Sequence, residues 1–182
     1  MLPTTSADSA PKPGMDAFAH VRDPRLRRFL AHYLGLRQGR RIPRRDQISP
    51  LDFPDLLSSV FLYEFDPASQ DFHIRLAGDH IARMLQTARA GARLSEVFPP
   101  AAFPIVLERY RRVCLTPSVM HNVGRVFHNL GGSGYGERIA MPLLGEDGTP
   151  AFFLGATCYA VQAEPDPAEH HDDPVTITYT PL

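Results

Sequence analysis

The sequence has few cysteines and no long hydrophobic run, and both absences limit what the protein can be. Its 182 residues include two cysteines, Cys114 and Cys158, which can form at most one disulfide. No stretch approaches the roughly 18 consecutive apolar residues of a membrane-spanning helix. Residues 1–16 lack the basic-then-apolar pattern of an export signal. We therefore expect a cytoplasmic protein without a membrane partner, in which both cysteines are free and buried.

The sequence also lacks a recognisable catalytic or metal-binding constellation. Residues 131–136 are rich in glycine, but no Lys-Ser/Thr pair follows them, so they predict a hairpin loop rather than a phosphate site. Glu146 and Asp147 lie between two glycines, which indicates a solvated turn rather than a sheltered acid/base pair. His-His-Asp-Asp at 170–173 offers weak metal ligands, and a polar tail is the preferred interpretation. We predict no enzymatic activity, no catalytic residues and no metal site.

The composition is that of a single soluble domain with tails. Hydrophobic residues make up 43% of the chain and charged residues 21%, the usual balance for a folded globule. Residues 1–20 are rich in Pro, Ser, Thr and Ala and predict a disordered tail. The folded domain is expected over residues 22–162. Residues 163–182 form an acidic tail whose final alternating stretch either adds an edge strand or stays loose.

Positive charge is concentrated in one block. Between positions 22 and 45 there are nine arginines and a single acid, Asp23. One interpretation is a surface for nucleic acid or an acidic partner. The preferred one is a solvated helix face and loop, because no aromatic interleaving or DNA-reading motif accompanies the arginines. A nucleic-acid-associated protein using this block remains the alternative function.

Two stretches have the pattern of amphipathic helices. The first, residues 24–37, follows Asp23 as N-cap and has Pro24 in its first turn. Its apolar stripe comprises Leu26, Phe29, Leu30, Tyr33 and Leu34. The second, residues 101–115, is the longest later helix and tolerates Pro104 only in its first turn. Shorter helical turns are expected near residues 49–53, 80–86 and 94–98.

Five stretches have the pattern of β-strands. Residues 60–65 and 72–76 flank a polar, proline-containing reversal and predict an antiparallel hairpin with Phe72, Ile74 and Leu76 on one buried face. Three more strands are expected at 119–127, 135–144 and 151–161. The last is apolar on both faces, so one face should pack under helices. Helix 24–37 or a second protomer would cover the other.

The order of these elements and a series of short motifs carry a resemblance to a known family. The matching residues are 23–26, 36–46, 49–57, 61–63, 72–78, 137–138 and 141–143. With them the chain resembles a PAS domain, and more closely a bacterial PAS-like family of uncharacterised function known largely from alphaproteobacteria. The resemblance implies an α+β fold: a five-stranded antiparallel sheet with short helices and one longer helix on one face, plus the N-terminal amphipathic helix. Tyr33 stands where the family commonly has tryptophan.

The resemblance implies a stand-alone sensory or regulatory module, often dimeric, that signals through a small ligand or through protein–protein contacts. We expect a homodimer or a signalling partner protein, and a small apolar ligand between helix 101–115 and the sheet. Its cofactor is unknown, because no haem or flavin motif is seen: His73, His80, His121 and His128 are interpreted as surface or loop residues. The candidate cavity residues are Tyr63, Ile74, Leu76, Met84, Phe103, Leu107, Tyr110, Ile139 and Met141.

Overall fold

One antiparallel sheet organises the chain, as seen in a computed structural model that describes residues 12–126, 134–161 and 175–182. The spatial order of its six strands is β2-β1-β5-β4-β3-β6, and every neighbouring pair is antiparallel. The architecture is therefore α+β, as predicted. The strands are β1 Val60–Asp66, β2 Asp71–Ala77, β3 Ser118–Val126, β4 Gly134–Leu144, β5 Pro150–Val161 and β6 Thr176–Pro181.

Among the described residues, four α-helices flank the sheet, and α1 and α4 each have a proline in the first turn. The Asp23 side chain accepts hydrogen bonds from the first backbone N–H groups of α1, and Pro24 lies in its first turn. Pro104 likewise lies in the first turn of α4. The first helix ends two residues before the predicted position. The helices are α1 Pro24–Gly35, α2 Asp79–Leu85, α3 Leu94–Val97 and α4 Phe103–Leu115.

Both faces of the sheet are covered, which explains why β5 is apolar on both sides. Helices α2, α3 and α4 pack on one face, which we call the inner face. Helix α1 packs on the opposite, outer face through its predicted stripe. Leu26, Phe29, Leu30 and Tyr33 are all fully buried there. The amphipathic helix α1 thus covers the outer face over β4 and β5.

The sheet has six strands, so the prediction of five is wrong by one edge strand. Thr176–Pro181 pairs with Ser118–Val123 of β3, which places the alternating C-terminal stretch at the edge of the sheet. Residues 12–20 also differ from the predicted mobile tail, because Phe18 is fully buried in the outer-face core. The predicted features at residues 1–11, 127–133 and 162–174 lie outside the described residues.

Candidate ligand-binding site

Aromatic rings fill the space between α4 and the centre of the sheet. Phe153 of β5 lies at the middle of this cluster, with its ring centroid 4.4 Å from that of Tyr110 on α4. Tyr63 and Phe72 approach the same ring at 5.0 and 5.1 Å, both nearly edge-on. Such tilted and edge-on pairs pack tightly. This part of the inner face is a filled core, and Tyr63 and Tyr110 belong to it.

Six of the nine candidate cavity residues lie on the inner face. Tyr63, Ile74 and Tyr110 are buried, whereas Met84, Phe103 and Leu107 are partly buried against the same cluster. The structure brings these six to the side of the sheet that the sequence predicted. Their role in binding a ligand stays a prediction.

The other three candidates, Leu76, Ile139 and Met141, do not lie between α4 and the sheet. All three pack on the outer face, against the core under α1. Leu76 moves there because the β1–β2 register shifts: Leu62 pairs with Leu76, but Tyr63 pairs with Ile74. One extra residue in a strand reverses the direction of every later side chain.

A cleft lies between the C-terminal end of α2 and α3, at the rim of the inner-face core. Its volume of about 650 Å³ falls within the range of small-molecule pockets. Met84 is the one predicted cavity residue that lines it. The other lining residues were not among the predicted cavity residues, because they come from the end of α2, from α3 and from the residues that follow each helix, whereas the predicted cavity lay under α4. The lining residues are Met84, Leu85, Gln86, Thr87, Ser95, Glu96, Val97, Phe98, Pro99 and Pro100.

The wall of this cleft is tied to the edge of the sheet. The N–H of Ile74 in β2 donates to the carbonyl of Ala92 at 2.9 Å, and the N–H of Gly91 donates back to Ile74 at 2.8 Å. The chain reaches this position through left-handed backbone at Gln86 (φ 37°) and Gly91 (φ 88°). The connector between α2 and α3 therefore pairs with the edge of β2.

A buried carboxylate fixes the start of α3. Asp71 at the beginning of β2 is only 4% exposed. Its Oδ2 accepts a hydrogen bond of 2.6 Å from the hydroxyl of Ser95 and one of 3.3 Å from the Ser95 backbone N–H. Its Oδ1 accepts from the N–H of Phe72 at 2.7 Å. Charge-assisted bonds of this kind hold one wall of the cleft on the strand.

The basic block is largely engaged within the chain. Arg25 pairs with Asp23 at 2.8 Å, Arg44 pairs with Asp46 at 3.1 Å, and Arg28 pairs with Asp55. Arg37 is buried, and its guanidinium donates to the carbonyl of Pro13. Neighbouring acids and carbonyls therefore screen much of this charge, and nothing in the arrangement supports the nucleic-acid alternative.

One histidine was placed wrongly by the sequence analysis. His121 is 3% exposed on the outer face of β3, where its Nε2 lies 3.0 Å from Oε2 of Glu137 on β4. No local pattern predicts this pair, because Glu137 lies on another strand and its further hydrogen-bond donors come from residues before α1. His73 and His80 are half-buried, and His128 lies outside the described residues.

Both cysteines are free and buried, as predicted. Burial raises the pKa of each thiol to about 12, so both stay neutral at physiological pH. Within residues 12–126, 134–161 and 175–182, no group of three or more His, Cys, Asp or Glu is placed to hold a metal ion. Over the same residues, none of the helices has both the length and the apolar character needed to cross a bilayer.

The strand order β2-β1-β5-β4-β3, with the short helices inserted between β2 and β3, defines an α+β domain of the PAS type. The family model described as a PAS domain matches residues 21–158. The chain therefore belongs to the PAS domain family, a class of sensory and regulatory modules. A search of curated proteins returns no match.

Proposed function

We propose that this protein is a sensory or regulatory module without catalytic activity, and that it binds a small, partly apolar ligand in the cleft between α2 and α3. The observation that carries the proposal is the cleft itself. Leu85, Val97 and Phe98 supply apolar surface, and Gln86 and Thr87 supply hydrogen-bonding groups. The cleft is therefore lined by polar and apolar groups together, and polar groups in such a lining can orient a bound molecule.

Hydrogen bonds connect the residues around the cleft to strand β2, so ligand binding can affect the sheet. The connector that lines the cleft is hydrogen-bonded to β2 at Ile74, and Ser95 is bonded to Asp71 at the start of the same strand. A ligand that moves α2 away from α3 changes both contacts. The ligand can shift the population of two arrangements only by its difference in affinity for them. Output passes to a signalling partner protein or to a second copy of the chain.

The test is native mass spectrometry of freshly purified protein, because one spectrum reports both retained small molecules and oligomeric state. We expect the wild-type spectrum to show the mass of a retained small molecule, a dimer, or both. Thr87→Trp fills the cleft and should remove the retained mass. Thr116→Trp, at an equally exposed threonine beyond α4, should keep it.

A protein that is empty and monomeric at every concentration would contradict the proposal. So would a retained mass that survives Thr87→Trp unchanged, because the ligand would then lie elsewhere. In both cases the assignment to the PAS family would stand, since it rests on the family match and the strand order.

A further inference from the structure

The segment before α1 is docked on the outer face of the sheet by contacts separate from the cleft. We call residues 12–23 the N-terminal segment. Phe18 and Val21 bury their side chains in the outer-face core. The guanidinium of Arg37 donates to the carbonyl of Pro13 at 2.9 Å, and that of Arg27 donates to the carbonyl of Val21 at 3.1 Å.

One carboxylate gathers three donors at the end of this segment. Oε2 of Glu137 accepts from the backbone N–H of Arg22 at 2.9 Å, and Oε1 accepts from that of Asp23 at 3.2 Å. The same Oε2 lies 3.0 Å from Nε2 of His121. A carboxylate oxygen only accepts, so His121 carries a proton on Nε2. Glu137 therefore links the start of α1 to strands β3 and β4.

A second imidazole closes the arrangement. The ring of His20 lies on that of His121, with 5.0 Å between the centroids. Its Nε2 is buried and has no hydrogen-bond partner among the described residues. Burial lowers the pKa of His20 below its ordinary value of 6.5; His121 lowers it further, and Glu137 opposes both effects. The His20 side chain is half-buried, and a proton on its buried Nε2 would lie beside another imidazole without an acceptor, which is unfavourable.

We propose that His20, His121 and Glu137 form a pH-sensitive clamp that holds the N-terminal segment on the outer face at neutral pH and loosens on acidification. The inference does not depend on the ligand cleft, which lies on the other side of the sheet. It adds proton concentration as an input to the module.

The other charged and titratable groups around the clamp do not alter the prediction that the clamp loosens as the pH falls. Asp23 and Arg25 form an ion pair at the start of α1. Burial raises the pKa of the Asp23 carboxyl, but the hydrogen bonds and charge of Arg25 outweigh it and leave a net lowering. Cys158 on β5 has its pKa raised to about 12 and stays neutral. Thr178 of β6, opposite His121, carries no charge.

The direction in which pH changes the stability of docking follows from the linkage between docking and protonation of His20. The docked state disfavours protonated His20, whereas the undocked segment leaves this histidine near its ordinary pKa of about 6.5. Docking is therefore fully stable above that pH and weakens as the pH falls below it. If His20 stays neutral when docked, the equilibrium for opening rises by up to about tenfold between about pH 7.5 and about pH 5.5.

Amide hydrogen exchange measured by NMR tests the clamp on the intact chain. Protection factors at Arg22 and Asp23, corrected for intrinsic exchange, should fall by up to about tenfold over that range. The amide of Ala156 in the central strand β5 serves as the internal standard, and its protection factor should not fall over this pH range. His20→Phe should abolish the pH dependence at both amides, whereas His32→Phe, a matched change at a histidine of α1 that lies beside Asp52, should keep it.

Two results would overturn the proposal. One is that the protection factors at Arg22 and Asp23 do not depend on pH in the wild type, or depend on it in the same way in His20→Phe. The other comes from the imidazole resonances of the wild type alone, and so applies even if the variant does not fold. A His20 that titrates at or above its ordinary 6.5 would show that docking does not oppose its charge.

Discussion

The hydrogen bonds between Asp71 and Ser95 give the sharpest prediction about the walls of the cleft. Asp71 is 4% exposed, and its carboxylate accepts hydrogen bonds from the hydroxyl and from the backbone N–H of Ser95. Hydrogen bonds to a charged group contribute about 1.5–3 kcal/mol each, but Ser95 is exposed, so water replaces part of what is lost. We expect Asp71→Ala to lower the free energy of unfolding by about 2 kcal/mol and Ser95→Ala by about 1 kcal/mol.

A double-mutant cycle isolates the interaction between the two side chains. Because Ser95→Ala removes a bond that Asp71→Ala has already removed, the double variant should cost about 1 kcal/mol less than the sum of the single variants. Urea denaturation measures all four proteins, and an unchanged m-value shows that the unfolded states are comparable.

The turn before β5 offers a matched control. Asp147 accepts from the hydroxyl and backbone N–H of Thr149 at 2.8 and 2.9 Å, which repeats the Asp71–Ser95 pattern at an exposed site. There the coupling between Asp147→Ala and Thr149→Ala should be close to zero, because water competes freely. Equal coupling at the two sites, or none at Asp71 and Ser95, would refute the claim that this carboxylate anchors α3.

Three further predictions concern the core. Tyr33→Phe removes the buried hydroxyl that donates to the carbonyl of Pro142 at 2.8 Å and should cost about 1–2 kcal/mol of unfolding free energy, whereas Tyr135→Phe at an exposed site should cost almost nothing. Gly155→Ala places a Cβ 2.2 Å from the Phe61 ring and 2.7 Å from the carbonyl of Ile139, so its melting temperature should fall, while Gly35→Ala meets nothing within 4 Å and should leave it unchanged or slightly higher. Because burial raises the pKa of both thiols to about 12, Cys114 and Cys158 should react with iodoacetamide at about pH 8 at least about tenfold more slowly than in the unfolded chain; native reaction at the unfolded rate would contradict their burial.

Local chemistry in the sequence was sufficient for the helices and the strand hairpin. Asp23, Pro24 and the apolar stripe predicted α1, and the cap and stripe are those the structure uses. Pro104 lies in the first turn of α4 as predicted, although the helix begins at Phe103, two residues after the predicted start at residue 101. These signals depend on neighbours within one or two turns, so a single sequence contains them.

The faces of the strands could not be assigned in the same way. β4 is buried on both sides, so its alternation does not distinguish Ile139 and Met141, under α1, from Ala140, under the inner helices. Leu76 was misplaced by a register shift that depends on how β1 pairs with β2. The burial of His121 could not be predicted either, because its partner Glu137 lies on another strand.

Ligand binding in the cleft between α2 and α3 is the central proposal, and it can be measured residue by residue. The measurement is a ¹H–¹⁵N NMR titration of the wild-type protein with the compound recovered from purification or, if none is retained, with members of a small aromatic fragment library. If a ligand binds in the cleft, we expect saturable chemical-shift changes concentrated at residues 84–87 and 95–98 and at Ile74. Changes concentrated under α1 around Leu30 and Met141, or no saturable change with any compound, would contradict it.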